Sequence, residues 1–297
     1  MEHNNQEIEI EKTDIEKLRT LAEQGDADAQ CELGLAYEEG DDVEQDYEKA
    51  AHWLTLAAEQ GDALAQIWLG DLYLRGEGIE QSDEKALLWY NKAVEQGEAL
   101  AHYKLGLMYF SGWGVKQDYT EALRLFIKST EEQDGAVIEN ADCLIGDMYY
   151  HGLGTEQNYS EALRWYLRAS NDVDAQLNLG NMYYDGIGVK QDYSEAMKWF
   201  LKAAEQDHTI AQFNLGVMYN DGEGVDVNHA EAARWFRLAA EKGDADAQFN
   251  LATMYASGDG VELDMDEACR WLQKATEQGD EKAREWLEKL QENNKNG

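Results

Sequence analysis

The sequence of 297 residues contains no proline and only three cysteines. The absence of proline excludes proline-rich linkers between separate domains, and it suits helices joined by turns that contain glycine, of which there are 26. Cys31, Cys143 and Cys269 are odd in number and far apart, which excludes a regular disulfide framework. Cys31 and Cys143 each lie three residues before a glycine, at a position that elsewhere holds Ile, Tyr, Leu or Phe. We therefore predict reduced core thiols in a cytoplasmic protein.

Basic residues are also scarce, since 25 Lys and Arg face 61 Asp and Glu and the net charge is −36. A field of this sign repels nucleic acid and anionic membranes, and it attracts cationic partners at a rate that falls with salt. The alternative interpretation is that the acidic surplus only keeps a large surface soluble. No apolar run is long enough to span a bilayer, and the segment MEHNNQEIEIEKTD lacks the basic start and apolar run of a secretory signal.

A block of about 36 residues recurs along almost the whole chain. The blocks run 22–57, 58–93, 94–129, 130–169, 170–203, 204–239 and 240–275. A fixed period in this range is typical of a solenoid, in which one supersecondary unit is stacked many times. Because stacked units expose a long surface and seldom form a catalytic cleft, the repeat favours a binding scaffold.

Each block predicts a pair of helices. In block 204–239, Leu215, Gly216 and Tyr219 fall on one face of the first helix at 3.6-residue spacing. Glycine within a helix costs about 1 kcal/mol relative to alanine, so its repetition predicts a close approach of the facing helix that leaves no room for a side chain. The last full block has Ala252 instead. The equivalent glycines in the other blocks are Gly34, Gly70, Gly106, Gly146 and Gly180.

A Gly-x-Gly turn follows the first helix in every block except the first, which has Gly40, Asp41 and Asp42. Because the turn follows a helix and lies among acidic residues, it is interpreted as a helix end and not as a phosphate cradle. Aromatic pairs such as Trp199 and Phe200 in the second helix predict core packing. The second helix opens with a predicted capping residue in each block: Asp46, Ser82, Asp118, Asn158, Asp192, Asn228 and Asp264.

The two ends of the array are predicted to be closed by single helices. Residues 14–22 form a lone helix that covers the first block, and residues 280–290, within a terminal cap at 276–290, form a helix that seals the last one. A single solenoid then occupies 14–290. Residues 1–13 are predicted to be a flexible N-terminus, and 291–297 a disordered tail.

The pattern AEQGDADAQ…LG..Y..G.GV.QDY.EA..W..KA resembles the Sel-one-like repeat family, relatives of the tetratricopeptide repeats. The resemblance implies an all-α fold, a right-handed α-solenoid superhelix of about seven antiparallel helix pairs plus capping helices, whose first helices line the concave face. It also implies adaptor or scaffold roles and, in bacteria, roles in signalling or in interaction with other cells. The chain lacks the regular cysteines of secreted members, which excludes that subgroup.

Positions −2, +1 and +5 from the repeated glycine are predicted to point away from the core, and position +4 to lie at the edge of the groove. These positions vary while the framework repeats, as expected of a recognition surface. The predicted partner-binding residues are Trp68, Asp71, Arg75, Lys104, Leu107, Phe110, Tyr150, His151, Asn178, Asn181, Tyr184, Asn214 and Asn250.

Two subsets of this surface have alternative interpretations. Asn178, Asn214 and Asn250 form a predicted ladder of amides for the backbone of an extended peptide, or they are polar residues tolerated on a helix face. Trp68 and the aromatic residues at position +4 are predicted anchors for a partner, or they contact a neighbouring repeat.

No arrangement typical of a catalytic site occurs. The six histidines are scattered without metal-binding spacing, no nucleophile motif is present, and the acidic loop at 259–267 lacks the ligand spacing for calcium. We predict a non-catalytic protein-protein interaction scaffold without cofactor or metal, which binds a peptide or protein in its concave groove and neither binds nucleic acid nor inserts into a membrane. The alternative is an inhibitor or immunity-type protein that neutralises a basic toxin or enzyme; a hydrolase is the distant alternative.

Overall fold

The computed structural model describes the backbone of residues 13–131 and 140–296, and the side chains of 15–131 and 140–290. All regular secondary structure within these residues is helical. The helices are α1 (Thr13–Glu23), α2 (Ala27–Glu39), α3 (Tyr47–Glu59), α4 (Ala63–Arg75), α5 (Asp83–Val94), α6 (Ala99–Ser111), α7 (Tyr119–Glu131), α8 (Ala141–His151), α9 (Tyr159–Arg168), α10 (Val173–Asp185), α11 (Tyr193–Glu205), α12 (Thr209–Asp221), α13 (His229–Glu241), α14 (Ala245–Ser257), α15 (Met265–Glu277) and α16 (Glu281–Asn296).

The residues group into two compact units. Unit 1 comprises 1–141 and 152–156, and unit 2 comprises 142–151 and 157–297. In unit 1, α1 packs on α2, and the pairs α2–α3, α4–α5 and α6–α7 follow, with α3 also packing on α4 and α5 on α6. In unit 2, the pairs α10–α11, α12–α13 and α14–α15 pack in the same way, and α16 packs on α15. The fold is an all-α repeat solenoid, as the sequence predicts; a single domain over 14–290 stays a prediction.

Side-chain caps start the helices where the sequence analysis places them. Asp46, Asn158 and Asp264 each accept a hydrogen bond from the backbone N–H three residues further on, which satisfies a donor left free by the helix. Asp118 caps α7 in the same way. The first helices have equivalent caps that the sequence analysis did not use: Asp26, Asp62, Asp172, His208 and Asp244.

The glycine in the middle of each first helix allows the predicted close approach. A Cβ at Gly216 would lie 2.5 Å from Cδ1 of Phe236, on the second helix of the same pair. The same contact joins each of the other five glycines to the residue twenty positions further on, an aromatic ring in every case but one. In the last pair, Ala252 stands opposite Leu272. The glycine of the first helix therefore allows close packing against the second helix, whose side chain, a ring in all but one of these pairs, covers it.

The second glycine of the Gly-x-Gly turn joins one repeat to the preceding one. Gly224 has φ of +74°, and a Cβ there would lie 2.6 Å from the carbonyl carbon of Tyr193, at the start of the preceding second helix. In the first repeat this place is taken by Asp42, with φ of 54°. Within the described residues, the single helix α1 precedes that repeat, and it presents no second helix of a pair at this place.

Buried glutamines fix five of the first helices to the helix before them. Gln66 donates to the carbonyl of Ala58, at the end of α3, with an Nε2–O distance of 3.2 Å. Its own Oε1 accepts from Gln96 at 2.9 Å, just beyond the end of α5. The same position holds Gln30, Gln176, Gln212 and Gln248. Because an unpaired buried amide is costly, these glutamines define the register between neighbouring helices.

The aromatic stripe of the second helices forms core, as predicted. Trp89, Trp199, Trp235 and Trp271 are buried, and a Lys or Arg side chain covers each indole face. The predicted core thiols, Cys31 and Cys143, are buried and free, whereas Cys269 is half-buried. Burial raises the pKa of the Cys31 thiol to about 12, so it stays protonated at neutral pH.

The ends of the chain differ from the sequence expectation in detail. Helix α1 begins at Thr13, and the predicted flexible segment 1–13 otherwise lies outside the described residues. Residues 132–139, near the start of the fourth block, also lie outside the described residues. Helix α16 continues to Asn296, six residues past the predicted helix end at Leu290, because no glycine or proline interrupts the segment QENNKN.

The contact between glycine and ring predicts a coupled pair of substitutions. Gly216→Ala should lower the free energy of unfolding by about 1 to 2 kcal/mol, because the overpacking against Phe236 exceeds the gain in helix propensity. Phe236→Leu copies the Ala252–Leu272 pair and should restore part of that loss. A double-mutant cycle measured by urea unfolding tests this, and strictly additive effects would contradict it.

Candidate functional site

The first helices α4 and α6 lie in contact within unit 1 and enclose a recess with a volume of ≈ 490 Å³. We call it the α4–α6 recess. It brings together four of the predicted partner-binding residues: Asp71, Arg75, Lys104 and Leu107. The remaining lining residues are Leu74, Gln81, Asp83 and Trp113.

Three of the four charged groups of the α4–α6 recess are paired within the protein, whereas the fourth, Asp83, is in none of the ion pairs of the described residues. Asp71 accepts hydrogen bonds from the Tyr90 hydroxyl and from Lys104, whose Nζ lies 2.8 Å away. Arg75 forms ion pairs with Glu38 and Glu77. With 6% of its surface exposed, Asp71 does not point away from the core as the sequence analysis expected. Position +1 faces the next first helix instead.

The apolar side of this recess includes a residue that the sequence analysis missed. Trp113 is the middle residue of a Gly-x-Gly turn and is 48% exposed. Other repeats have Asp, Glu, Leu or Ile at this position. The sequence signal that could have identified Trp113 is therefore an aromatic residue where no other repeat has one. Leu107 is half-buried opposite it. An exposed indole in a recess is typical of a protein-binding surface.

A second recess, of ≈ 310 Å³, lies between α10 and α12 in unit 2. It contains three predicted residues, Asn181, Tyr184 and Asn214. The Tyr184 ring packs edge-on against Tyr193, with centroids 5.1 Å apart, and its hydroxyl donates to Glu223 at 2.5 Å. Burial and the Glu223 carboxylate raise the pKa of Tyr184, which therefore remains a hydrogen-bond donor. The other lining residues of this α10–α12 recess are Asp185, Phe200, Phe213 and Val217.

A polar bridge of constant register joins consecutive first helices. The residue at position −2 donates to the residue at position +1 of the preceding repeat. The donor–acceptor pairs are Lys104–Asp71 at 2.8 Å, Asn178–Asp147 at 3.1 Å and Asn214–Asn181 at 3.4 Å. Asn250 departs from this pattern, because its amide donates to the carbonyl of Asp246 in its own helix. Two members of the predicted amide ladder are thus also bridges between repeats.

The other predicted residues lie outside the lining of both recesses. Trp68 is half-buried against the core of unit 1, and its Nε1 is buried without an acceptor among the described residues. Phe110 packs edge-on against Tyr119 at 5.2 Å, within its own helix pair. Tyr150 packs in the same way against Tyr159, at 5.1 Å. The exposed ring of His151 lies 5.0 Å from that of Tyr150.

The Sel1 repeat profile matches residues 27–62, 63–98, 99–134, 140–172, 173–208, 209–244, 245–280 and 280–290. The chain belongs to the Sel1 repeat family. Each of the first seven matches except the fourth begins at the first residue of a first helix. The block boundaries deduced from the sequence lie about five residues earlier, which leaves the helix pairing unchanged. Sel1 repeat proteins are generally scaffolds for protein interactions.

Two solved structures support this membership. A protective antigen present in uropathogenic Escherichia coli strains, displaying an SLR fold, has 34% identity and a TM-score of 0.88; the match covers 93% of this chain and 59% of that one. The Sel1 repeat protein from Oxalobacter formigenes has 34% identity and a TM-score of 0.73, over 93% of this chain and 79% of that one. An immunity protein from Pseudomonas aeruginosa, at 21% identity and a TM-score of 0.40, supports no conclusion about function. No curated protein matches the chain.

Charge is unevenly divided between the helices of the Sel1 repeats in unit 2. The first helices α8, α10, α12 and α14 contain Asp but neither Lys nor Arg. The second helices α9, α11, α13 and α15 each contain two basic residues. Ion pairs such as Arg164–Glu161 and Lys198–Glu195 tie some of these cations to their own helix. The face formed by the first helices of unit 2 is therefore acidic.

Within the described part of the chain, no group of three or more His, Cys, Asp or Glu is placed to hold a metal ion. In the acidic loop 259–267, Asp264 accepts from the backbone N–H of Asp266 and Glu267, as predicted for a cap. None of the described helices combines the length and apolar character needed to cross a membrane.

The bridge in the Sel1 repeats predicts a pH-dependent gain in stability. Burial raises the pKa of Asp147. The hydrogen bond from the Tyr166 hydroxyl and, at longer range, the charge of His151 lower this pKa, but they offset only part of the effect of burial. The ionisation of Asp147 therefore destabilises the fold as pH rises through the interval between the unfolded and folded pKa values. Asn178→Lys, which copies Lys104, should raise the free energy of unfolding by about 1 kcal/mol at pH 7.

That gain should disappear as the pH falls through the folded pKa of Asp147, because a protonated carboxyl no longer attracts the cation. Urea unfolding of Asn178→Lys and the unmodified chain at a series of pH values measures it. The control is Asn178→Lys in a chain that also carries Asp147→Asn, and it should show no gain relative to Asp147→Asn alone. An equal gain in the presence and absence of Asp147 would contradict the prediction.

Proposed function

We propose that the chain is a non-catalytic scaffold that binds a segment of a partner protein on the first-helix face of each unit. The observation that carries the proposal is the convergence of variable residues from consecutive repeats into the α4–α6 and α10–α12 recesses. These residues differ from one repeat to the next, whereas the framework residues of the helices recur. A repeat protein separates stability from recognition in this way.

The α4–α6 recess is suited to an uncharged, apolar side chain of the partner. Arg75, Lys104 and Asp71 are paired within the protein, so an anionic group of the partner would meet no free cation there. Trp113 and Leu107 offer apolar surface beside these pairs. Burial of such surface at about 25 cal/mol per Å² is the main source of affinity that this recess can provide.

Substitution of recess residues in a complex with an identified partner tests the proposal. The partner is first isolated with the full chain from native lysate of the source cells and then purified. Leu107→Glu or Val217→Glu should weaken its binding at least tenfold, because each places an unpaired charge in an apolar contact. Isothermal titration calorimetry measures this change.

Leu88→Glu is the matched control. Leu88 is 54% exposed on α5 and lines neither recess, so its substitution should leave the affinity unchanged. Circular dichroism spectra of all three variants establish that the fold is intact. If a purified partner binds the recess variants as tightly as the unmodified chain, the scaffold does not use these recesses and the proposal fails.

The net charge of −36 favours a second candidate function, an inhibitor or immunity-type protein that neutralises a basic toxin or enzyme. Electrostatic steering would then raise the association rate by tenfold or more at low salt. Stopped-flow measurement of association with the purified partner at increasing NaCl should show this rate falling steeply, together with inhibition of the partner's activity. A rate indifferent to salt would exclude this function.

A further inference from the structure

One carboxylate lines the α10–α12 recess, and two more lie near its Tyr184 side chain. Asp185 lines the recess, and Glu223 accepts the hydrogen bond of the Tyr184 hydroxyl. Asp221 is close enough for its charge to act on Tyr184. Among the ion pairs of the described residues, none within 4.0 Å joins Asp185, Asp221 or Glu223 to a Lys, Arg or His.

The α4–α6 recess is formed by equivalent repeat positions, so the two recesses can be compared residue by residue. Position +5 is Arg75 in the α4–α6 recess and Asp185 in the α10–α12 recess. The middle residue of the following Gly-x-Gly turn is Trp113 in one and Glu223 in the other. The lining of the first recess therefore contains two cations beside Asp71 and Asp83, whereas the lining of the second contains Asp185 and no cation, and Glu223 is bound to the hydroxyl of its Tyr184.

The bridge between repeats changes in the same direction. At position −2, Lys104 of the α4–α6 recess is replaced by Asn214 in the α10–α12 recess. The Asn214–Asn181 bridge carries no charge, so it neutralises none of the nearby carboxylates. The first helices of unit 2 also contribute neither Lys nor Arg. The lining of this recess contains no Lys, Arg or His, so the recess itself supplies no cation to Asp185.

Aromatic side chains define the kind of cation that fits. Tyr184 and Phe213 line the α10–α12 recess, and Phe200 lies below them, fully buried. A guanidinium stacks on aromatic faces and forms two parallel hydrogen bonds with one carboxylate, whereas an ammonium ion is a compact and strongly hydrated point charge. A recess of ≈ 310 Å³ accommodates one such side chain.

We propose that the α10–α12 recess binds an arginine side chain of a basic partner segment, with the guanidinium paired to Asp185 and stacked against Tyr184. This inference rests on the proposed scaffold function and deepens it by naming the chemistry of the partner. The two recesses then select different features of one class of ligand: an apolar side chain in unit 1 and an arginine in unit 2.

The probe is the capped pentapeptide acetyl-Gly-Ser-Arg-Ser-Gly-amide, compared with otherwise identical peptides that contain lysine or the uncharged isostere citrulline. Binding to the full chain is followed by the methyl resonances of Val217, which lines the recess. The arginine peptide should shift them in a saturable manner, the lysine peptide should bind at least fivefold more weakly, and the citrulline peptide should produce no shift.

Asp185→Asn should weaken the binding of the arginine peptide at least fivefold, and Asp185→Arg, which copies Arg75, should abolish it. Glu205→Gln is the matched control, because it removes one exposed carboxylate of unit 2 that lines no recess. Equal weakening by Asp185→Asn and Glu205→Gln would show attraction by bulk charge only and would overturn the inference. An absent Val217 shift, or lysine bound as tightly as arginine, would overturn it as well.

The two proposals fail separately. If Leu107→Glu and Val217→Glu weaken an identified partner while the arginine peptide does not bind, the scaffold function stands and the arginine site is refuted. If the peptide binds at Val217 while the partner is indifferent to both substitutions, the arginine site stands and the proposed role of the recesses in partner binding is refuted.

Discussion

The contact between a mid-helix glycine and the ring of the paired helix is the constraint on which the remaining architecture depends. It brings the first and second helices of a repeat close enough to share one core, and it recurs with the same spacing in five repeats, while Leu54 replaces the ring in the first. Buried glutamines and the second turn glycine then fix most of the pairs to the helix before them. Because these contacts involve backbone or fully buried atoms, the surface residues are free to vary without loss of the fold.

The variable residues of the first helices are not all free for recognition. Asp71, Lys104, Asn178 and Asn214 bridge consecutive repeats while they lie on the face proposed for binding. Stability and recognition therefore overlap along this row. The overlap limits which side chains can be exchanged, because removal of one partner leaves a buried polar group unsatisfied.

The distribution of charge distinguishes recesses of the same architecture. In unit 1 the recess contains Arg75 and Lys104, both paired with carboxylates, and in unit 2 it contains Asp185 without a counter-ion beside aromatic rings. The total charge of the chain does not show this difference, since it averages acidic first helices with second helices that contain most of the cations of unit 2. The sign and shape of each recess are therefore more informative about ligands than the net charge.

The sequence by itself determined the helix pairs, their caps, the glycine contacts, the core aromatic stripe and the family, because periodicity and capping are local signals that repeat seven times. Only the tertiary structure decided that Asp71 is buried, that Trp113 lines a recess and that Arg75 and Asp185 occupy equivalent walls. The bridging residues that meet at each recess are 33 positions apart, and no local pattern shows which side chains face each other across neighbouring repeats. That juxtaposition depends on the rotation and spacing of packed helices, which the packing of the whole array determines.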